Sequence, residues 1–260
     1  MQDIQGKVRH EVQGRVLKIT IDNPAKKNAF HPQMMEQLSD TLTLLEQTPD
    51  LWAGVICAEG EDFTAGLDMP KFFGPNSTPP DIPEGNVDAF GLQRQCSKPI
   101  VTAVKGICFT IGIEMMLAGD IAVAADDTRF CQLESKRGIA PFGGAHFRYI
   151  SRAGWGNAMY HLMLCDEFSA EEAHRIGLVQ EVVAKGHETT RAMEIAETIC
   201  RNAPLGIQAM KVAGRKFIEH GEQAAIACIP ELRDRMLATE DMREGIASFV
   251  ERREAVFKGR

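Results

Sequence analysis

The feature that most constrains this chain is a change of pattern near Gly143. Ahead of it, short apolar runs bounded by glycine, proline or acidic turn residues alternate with helical spacings. Behind it, almost everything is spaced for helix. Strands alternating with helices build an α/β core, and a run of helices after them builds an appended helical region. Residues 8–12 and 15–22 mix apolar and polar positions at period two around Gly14, which predicts a β-hairpin. Pro32 suits a first helical turn, and Met34, Met35, Leu38, Leu42 and Leu45 then recur at helical spacing to about Gln47. Residues 53–57, 100–104, 121–125 and 129–133 read as strands, with Asp126-Asp127 as the turn between the last two. A Pro-rich loop spans 74–85, a helix is expected over 86–95, and another over 111–117. Residues 177–183 form the last strand-like stretch. Ser169-Ala-Glu-Glu172 is a capping-box pattern. Four further helices are expected over 189–200, 204–217, 222–237 and 240–257, with Pro230 kinking or splitting the third. No linker separates two domains, so residues 1–200 form the core and 201–260 a helical region of the same unit.

Bulk properties narrow the function. No apolar run approaches the ~20 residues that span a bilayer, and the mixed-charge start is no signal peptide. No membrane association is expected, and the expected location is cytoplasmic. The seven cysteines form no C-x-x-C pair and sit mostly in apolar runs, as buried free thiols do. The seven histidines show neither H-x-x-x-H nor H-E-x-x-H spacing, so no metal is expected. A net charge of −7 without a basic run disfavours nucleic acid. A polyanionic ligand would have to be met by local cations, for which Lys26, Lys27, Lys71 and Lys105 are the candidates.

Two loops are candidates for chemistry. Asp62-Phe-Thr-Ala-Gly-Leu-Asp68 and Gly106-Ile-Cys-Phe-Thr-Ile-Gly-Ile-Glu114 each follow a buried strand and enter a helix, with Asp68 a plausible N-cap. Both expose backbone N–H groups at a helix start, where an anion or a developing oxyanion is stabilised. Such junctions are common in α/β proteins, so the signal is weak by itself. Glu114 and Glu134 both lie in apolar company, where burial raises a carboxyl pKa, and two such groups can share general acid–base work. The plainer reading of each is a satisfied helix-start or turn glutamate.

Five segments, in order, bring a family into view. They are Asp22-Asn-Pro-Ala-Lys-Lys-Asn-Ala-Phe30 and Phe63-Thr-Ala-Gly-Leu-Asp-Met69. Next comes Lys98-Pro-Ile-Val-Thr-Ala-Val-Lys-Gly106 with its continuation through Glu114 to Asp120. Then follow Phe130-Cys-Gln-Leu-Glu134 with the glycine-rich stretch to Gly144, and Phe168-Ser-Ala-Glu-Glu-Ala-His-Arg-Ile-Gly-Leu-Val179. Together they resemble the crotonase superfamily, the enoyl-CoA hydratase/isomerase family, over nearly the whole chain. The resemblance implies an α/β, ClpP-like spiral of repeated ββα units with a C-terminal helical trimerisation region, assembling as a homotrimer or homohexamer. It implies an acyl-CoA thioester substrate, with coenzyme A part of the substrate and no separate cofactor.

By motif position the resemblance assigns the two oxyanion N–H donors to Leu67 and Ile111, and the catalytic acids to Glu114 and Glu134. Family hydratases hold both acids, which implies syn addition of water across a 2,3 double bond, with Glu134 supplying the α-carbon proton and Glu114 holding the water. An enoyl-CoA Δ3–Δ2 isomerase or another crotonase lyase or hydrolase is the alternative, and a non-catalytic coenzyme A-binding scaffold is a third. Contacts to the ligand fall by the same route on Ala25, Lys26, Lys27, Ala65, Gly66, Asp68, Gly112 and Phe142. Here the chain departs from the family text: Phe109-Thr-Ile-Gly112 is less glycine-rich, Leu133 stands for a proline, and Phe142 for a glycine. A β-branched Ile111 at positive φ would be an outlier, so either that residue has ordinary φ or the loop is shaped differently.

Overall fold

The computed structural model describes residues 6–260. The strands are β1 (Lys7–Gln13), β2 (Val16–Asp22), β3 (Ala53–Ala58), β4 (Ile100–Val104), β5 (Ile107–Phe109), β6 (Ile121–Ala125), β7 (Arg129–Cys131), β8 (Phe168–Ser169) and β9 (Glu181–Val183). The helices are α1 (Pro32–Gln47), α2 (Met69–Phe73), α3 (Ile111–Ala118), α4 (Ala145–Leu164), α5 (Ala170–Arg175), α6 (Glu188–Ile199), α7 (Pro204–His220), α8 (Glu222–Leu237) and α9 (Glu240–Glu251). Short 3-10 turns cover Pro24–Lys26 and Glu134–Arg137. β1 and β2 form the predicted antiparallel hairpin around Gly14, whose φ is +59°.

Six strands lie in the order β1-β2-β3-β4-β6-β9, parallel from β2 onward, and a second sheet runs β5-β7-β8. β4 and β6 are each followed within a few residues by a strand of the second sheet, β5 and β7, which pair in parallel. The chain after β3 reaches the same layer through the parallel bridge Thr64↔Cys108. Each turn therefore lays one strand in each sheet and then a helical segment, which is the repeated ββα spiral implied by the resemblance.

Period two explains why the central strands read as continuous apolar runs. Leu17, Ile19, Ile56, Ile100, Val104 and Ala124 point into the main core, with α1 and α3. Val16, Val55, Val101, Ala103 and Val123 point to the other face, where Ala192, Met193 and Ala196 of α6 cover them. A parallel sheet covered on both faces has no polar side to show.

Several expectations fail for local reasons. Residues 86–95 are turns and bends instead of a helix. The Asp88 carboxylate takes the amides of Phe90, Leu92 and Gln93, and Gly91 sits at φ +58°, so this backbone is satisfied without a helical ladder. The last helix ends at Glu251, short of 257: Arg252 turns left-handed at φ +55°, and Arg253 binds Glu244 and Glu251. The stretch 177–183 keeps only β9, because the Leu178 and Val179 amides return to the Ala173 carbonyl. The stretch 129–133 keeps only Arg129–Cys131 as strand. Pro230 does not split α8; the helix is exposed, so water can take the one carbonyl left without a donor. Ser169 caps α5 by accepting the Glu172 amide, but Glu172 binds Arg175 and His161, so only half of the capping box forms. All seven cysteines are free thiols, five of them buried. No described helix is long and apolar enough to cross a membrane.

Candidate active site

β3 and β4 are parallel neighbours, so the loops that follow them leave the same edge of the sheet. Backbone bonds then join the loops: Phe63 N–H to Lys105 O (2.9 Å), Thr64 N–H to Ile107 O (2.9 Å) and Phe109 N–H to Thr64 O (3.0 Å). Two glycines allow the approach. A Cβ on Gly66 would lie 2.3 Å from Thr110 Oγ1, and one on Gly112 would lie 2.6 Å from Thr64 Cγ2.

Around this junction most amides are used. Gly66 N–H donates to Thr64 Oγ1 (3.1 Å), Asp68 N–H to Phe30 O (2.7 Å) and Thr110 N–H to Cys131 O (2.9 Å). The N–H groups of Leu67 and Ile111 take no partner among the described residues, and they are the two that motif position singles out. Ile111 is the first residue of α3 and has no positive φ. The strain falls one residue earlier, on Thr110, at φ +49° and ψ −114°. A β-branched residue there costs on the order of 1–3 kcal/mol, and such strain clusters at working sites.

Glu114, in the first turn of α3, is 2% exposed. Its Oε1 accepts the Ala145 N–H at 3.1 Å, and the Gly143 amide also faces it. Burial raises its pKa, while these two amides, His146 and Arg148 oppose the rise. A Cβ on Gly143 would lie 2.5 Å from Glu114 Oε2, so Gly143 is needed there. Glu134, at the start of the 3-10 turn after β7, is 8% exposed. Its Oε1 accepts Gln132 Nε2 at 2.9 Å, and its Oε2 is buried without a partner. Burial pushes its pKa from 4.5 up to about 7, and the Glu114 charge adds to the rise. One carboxyl is thus steadied by backbone donors and the other is poised near neutrality, the division of labour that acid–base chemistry needs.

The other candidates divide. Lys26, Lys71 and Asp68 line one polar cavity of about 400 Å³ together with His31, Asn76 and Thr78. Asp68 starts α2 without a side-chain cap bond; its carboxylate meets Lys26 Nζ at 3.2 Å. Ala25 and Lys27 are exposed beside this cavity's edge in sequence, and Lys27 turns left-handed so that its carbonyl takes the Ala65 amide. Lys105 faces inward, 3.8 Å from the buried Glu188, and is not available to a polyanion. Phe142 stands 73% exposed on the turn before α4. Gly143, Gln132 and Tyr149 join the acids in the structure but were not singled out from sequence. Gln132 and Gly143 lie inside motif segments, whereas Tyr149 carries no local signal.

With this geometry in view, comparison with known proteins is direct. Residues 11–260 match the model of the enoyl-CoA hydratase/isomerase family. The chain is 31% identical over 248 residues to the 2,3-dehydroadipyl-CoA hydratase of Escherichia coli K12, covering 95% of this chain and 97% of that protein. It is 31% identical over 254 residues to the carnitinyl-CoA dehydratase of Salmonella enteritidis PT4, covering 95% and 96%. A crystal structure described as a "probable enoyl-CoA hydratase/isomerase" from Mycobacterium abscessus superposes with a TM-score of 0.93 at 42% identity, over 98% of this chain and 99% of that one. The ββα spiral, the paired glycine-gated loops and the two buried acids therefore sit in a chain that belongs to the enoyl-CoA hydratase/isomerase family.

Proposed function

We propose that the protein adds water syn across the 2,3 double bond of an enoyl-CoA thioester. The observation that carries this reading is the pair of buried carboxyls, Glu114 and Glu134, within reach of each other's charge and in unequal environments. The relatives named for hydration and dehydration of acyl-CoA compounds support the same reaction type.

In this mechanism the Leu67 and Ile111 N–H groups donate to the thioester carbonyl oxygen, where negative charge develops. Glu114, ionised, takes a proton from water as the water oxygen bonds to C3. The π electrons of the double bond move to the carbonyl oxygen and form the enolate. Glu134, protonated, then gives its proton to C2, leaving a 3-hydroxyacyl thioester. The proton taken by Glu114 returns to Glu134, whose high proton affinity favours that direction. Gly66 and Gly112 let the loops close around the thioester. Lys26 and Lys71 are proposed to meet coenzyme A phosphates, with Ala25, Lys27, Ala65 and Asp68 along the ligand's path and Phe142 near its acyl end.

We also propose self-association through the helical region, as a homotrimer or homohexamer. It presents Met210, Phe217, Ile218, Ile226, Phe249 and Val250 to solvent, all more than half exposed except Ile226 at 50%. Sedimentation equilibrium tests this, and a monomer at micromolar concentration would overturn it.

Mass spectrometry of 2-enoyl-CoA thioesters incubated in water labelled with both ¹⁸O and deuterium tests the reaction. The expected product is a 3-hydroxyacyl-CoA carrying the label, absent with Glu114→Ala or Glu134→Ala. Uptake of solvent deuterium at C2 without ¹⁸O would point instead to double-bond isomerisation. No exchange on any member of the panel would reject both.

A further inference from the structure

Three buried polar atoms near the two acids have no hydrogen-bond partner: Glu134 Oε2, Gln132 Oε1 and the Tyr149 hydroxyl. Tyr149 is 0% exposed and Gln132 3%. Leaving such groups unpaired is costly, so their occurrence beside the acids calls for a role.

The helix explains how Tyr149 arrives there. Ala145 opens α4 and gives its amide to Glu114 Oε1. Tyr149 is four residues on, hence on the same face, and helical side chains lean toward the N-terminus. Its ring is therefore carried back toward the acids, and its environment agrees: the titratable groups that bear on its hydroxyl are Cys108 of β5, Glu134, Cys131 of β7 and Glu114 of α3. The groups around Glu134 are Glu114, its own amide and Gln132, while His146 and Arg148 of α4 face Glu114. Burial holds the Tyr149 phenol well above its ordinary pKa, so it stays a donor.

We infer that Tyr149 is a positioning residue for Glu134, acting through one buried water shared with the Gln132 amide oxygen. The reading rests on the hydratase mechanism above for what Glu134 then does. No two of the three atoms bond directly, and one water is the smallest link between them. With Glu134 ionised, donor and acceptor roles follow by elimination. Gln132 Oε1 only accepts, so the water donates one hydrogen to it and the other to Glu134 Oε2. The water oxygen then accepts from the Tyr149 hydroxyl. Together with Gln132 Nε2 on Oε1, this holds both carboxyl oxygens and steadies the ionised form after C2 has been protonated.

The test is the titration of Glu134, followed by NMR of side-chain ¹³C-labelled glutamate, with Glu134→Gln to assign the signal. Tyr149→Phe keeps the ring and removes only the hydroxyl. Its Glu134 midpoint is expected to rise by roughly a few tenths to one pH unit, the worth of one hydrogen bond. In turnover, the same variant is expected to lose about 2- to 10-fold in kcat with KM little changed, its pH profile displaced in the same direction. Gln132→Met, on a different element, should also raise the midpoint, and Tyr149→Phe should add little in that background because the shared water is already lost. Identical midpoints in wild type and Tyr149→Phe, or strictly additive effects in the double variant, would overturn the inference. Failure of the hydratase reading is a separate result: no turnover by wild type, whatever the Glu134 titration shows.

Discussion

The surroundings of Glu114 and of Glu134 solve opposite problems with the same side chain. Glu114 enters at a helix start and is met by backbone amides from the turn that opens α4. Glu134 follows a strand, is met by its own amide and one side-chain amide, and keeps one oxygen unpartnered. Backbone donors favour the ionised form, and burial with a like charge nearby favours the neutral one. The difference teaches that two buried carboxyls receive unequal proton affinities from the elements around them. Burial alone does not distinguish them.

The sharpest way to break the comparison is to neutralise each acid. Glu134→Gln is expected to lower hydration about 10³- to 10⁴-fold and to abolish deuterium exchange at C2 of the product acyl-CoA. Glu114→Gln should lower hydration about 10²- to 10³-fold while some C2 exchange survives through Glu134. Equal loss of both signals in both variants would show that the acids act as one unit.

A second contrast is in stability against pH. The Glu134 carboxyl goes from 4.5 to about 7 on folding. Its contribution is therefore fully present below pH 4.5 and is lost as pH rises through 7. Across that window it amounts to about 3 kcal/mol. Urea unfolding at pH 4.5 and pH 8 should show this loss in wild type and not in Glu134→Gln. Glu114→Gln should change the slope in the same direction but less, because the Ala145 and Gly143 amides oppose the rise.

Gly143→Ala probes the Glu114 side alone. The new Cβ, 2.5 Å from Oε2, must displace the carboxylate or the turn, at a cost of about 1–3 kcal/mol in stability. Hydration should fall while the Glu134 titration is only slightly disturbed; an unchanged rate would mean that the Glu114 position is not critical. The smallest effect is expected from Thr110→Gly. It releases a β-branched residue from φ +49° and should raise stability by about 1 kcal/mol, measured by thermal melting. A lower melting temperature would show that the Thr110 side chain, against Gly66, contributes more than its backbone strain costs.

Much of this protein was legible before any coordinates. The hairpin, α1, β4, β6 and α8 fall where periodicity and punctuation put them, because those signals are local. Leu67 and Ile111, the motif residues, have amides without a partner among the described residues, and Glu114 and Glu134 are both buried with the Glu114 charge bearing on Glu134. The helix expected over 86–95 failed because a single side chain, Asp88, offered the backbone a competing set of bonds. β5 and β8 were missed because strands of two or three residues carry no periodicity, and their partners lie far along the chain.

The sequence by itself determined the order of elements, the two glycine-bearing loops and the two carboxyls, since each is set by residues close together in the chain. Only the tertiary structure decided which amides stay free, that the strain sits on Thr110, and that Glu134 holds its proton to about pH 7. Those properties depend on what is brought near from β4, β5, β7 and α4, and a carboxyl's proton affinity is the sum of neighbours that no local pattern contains.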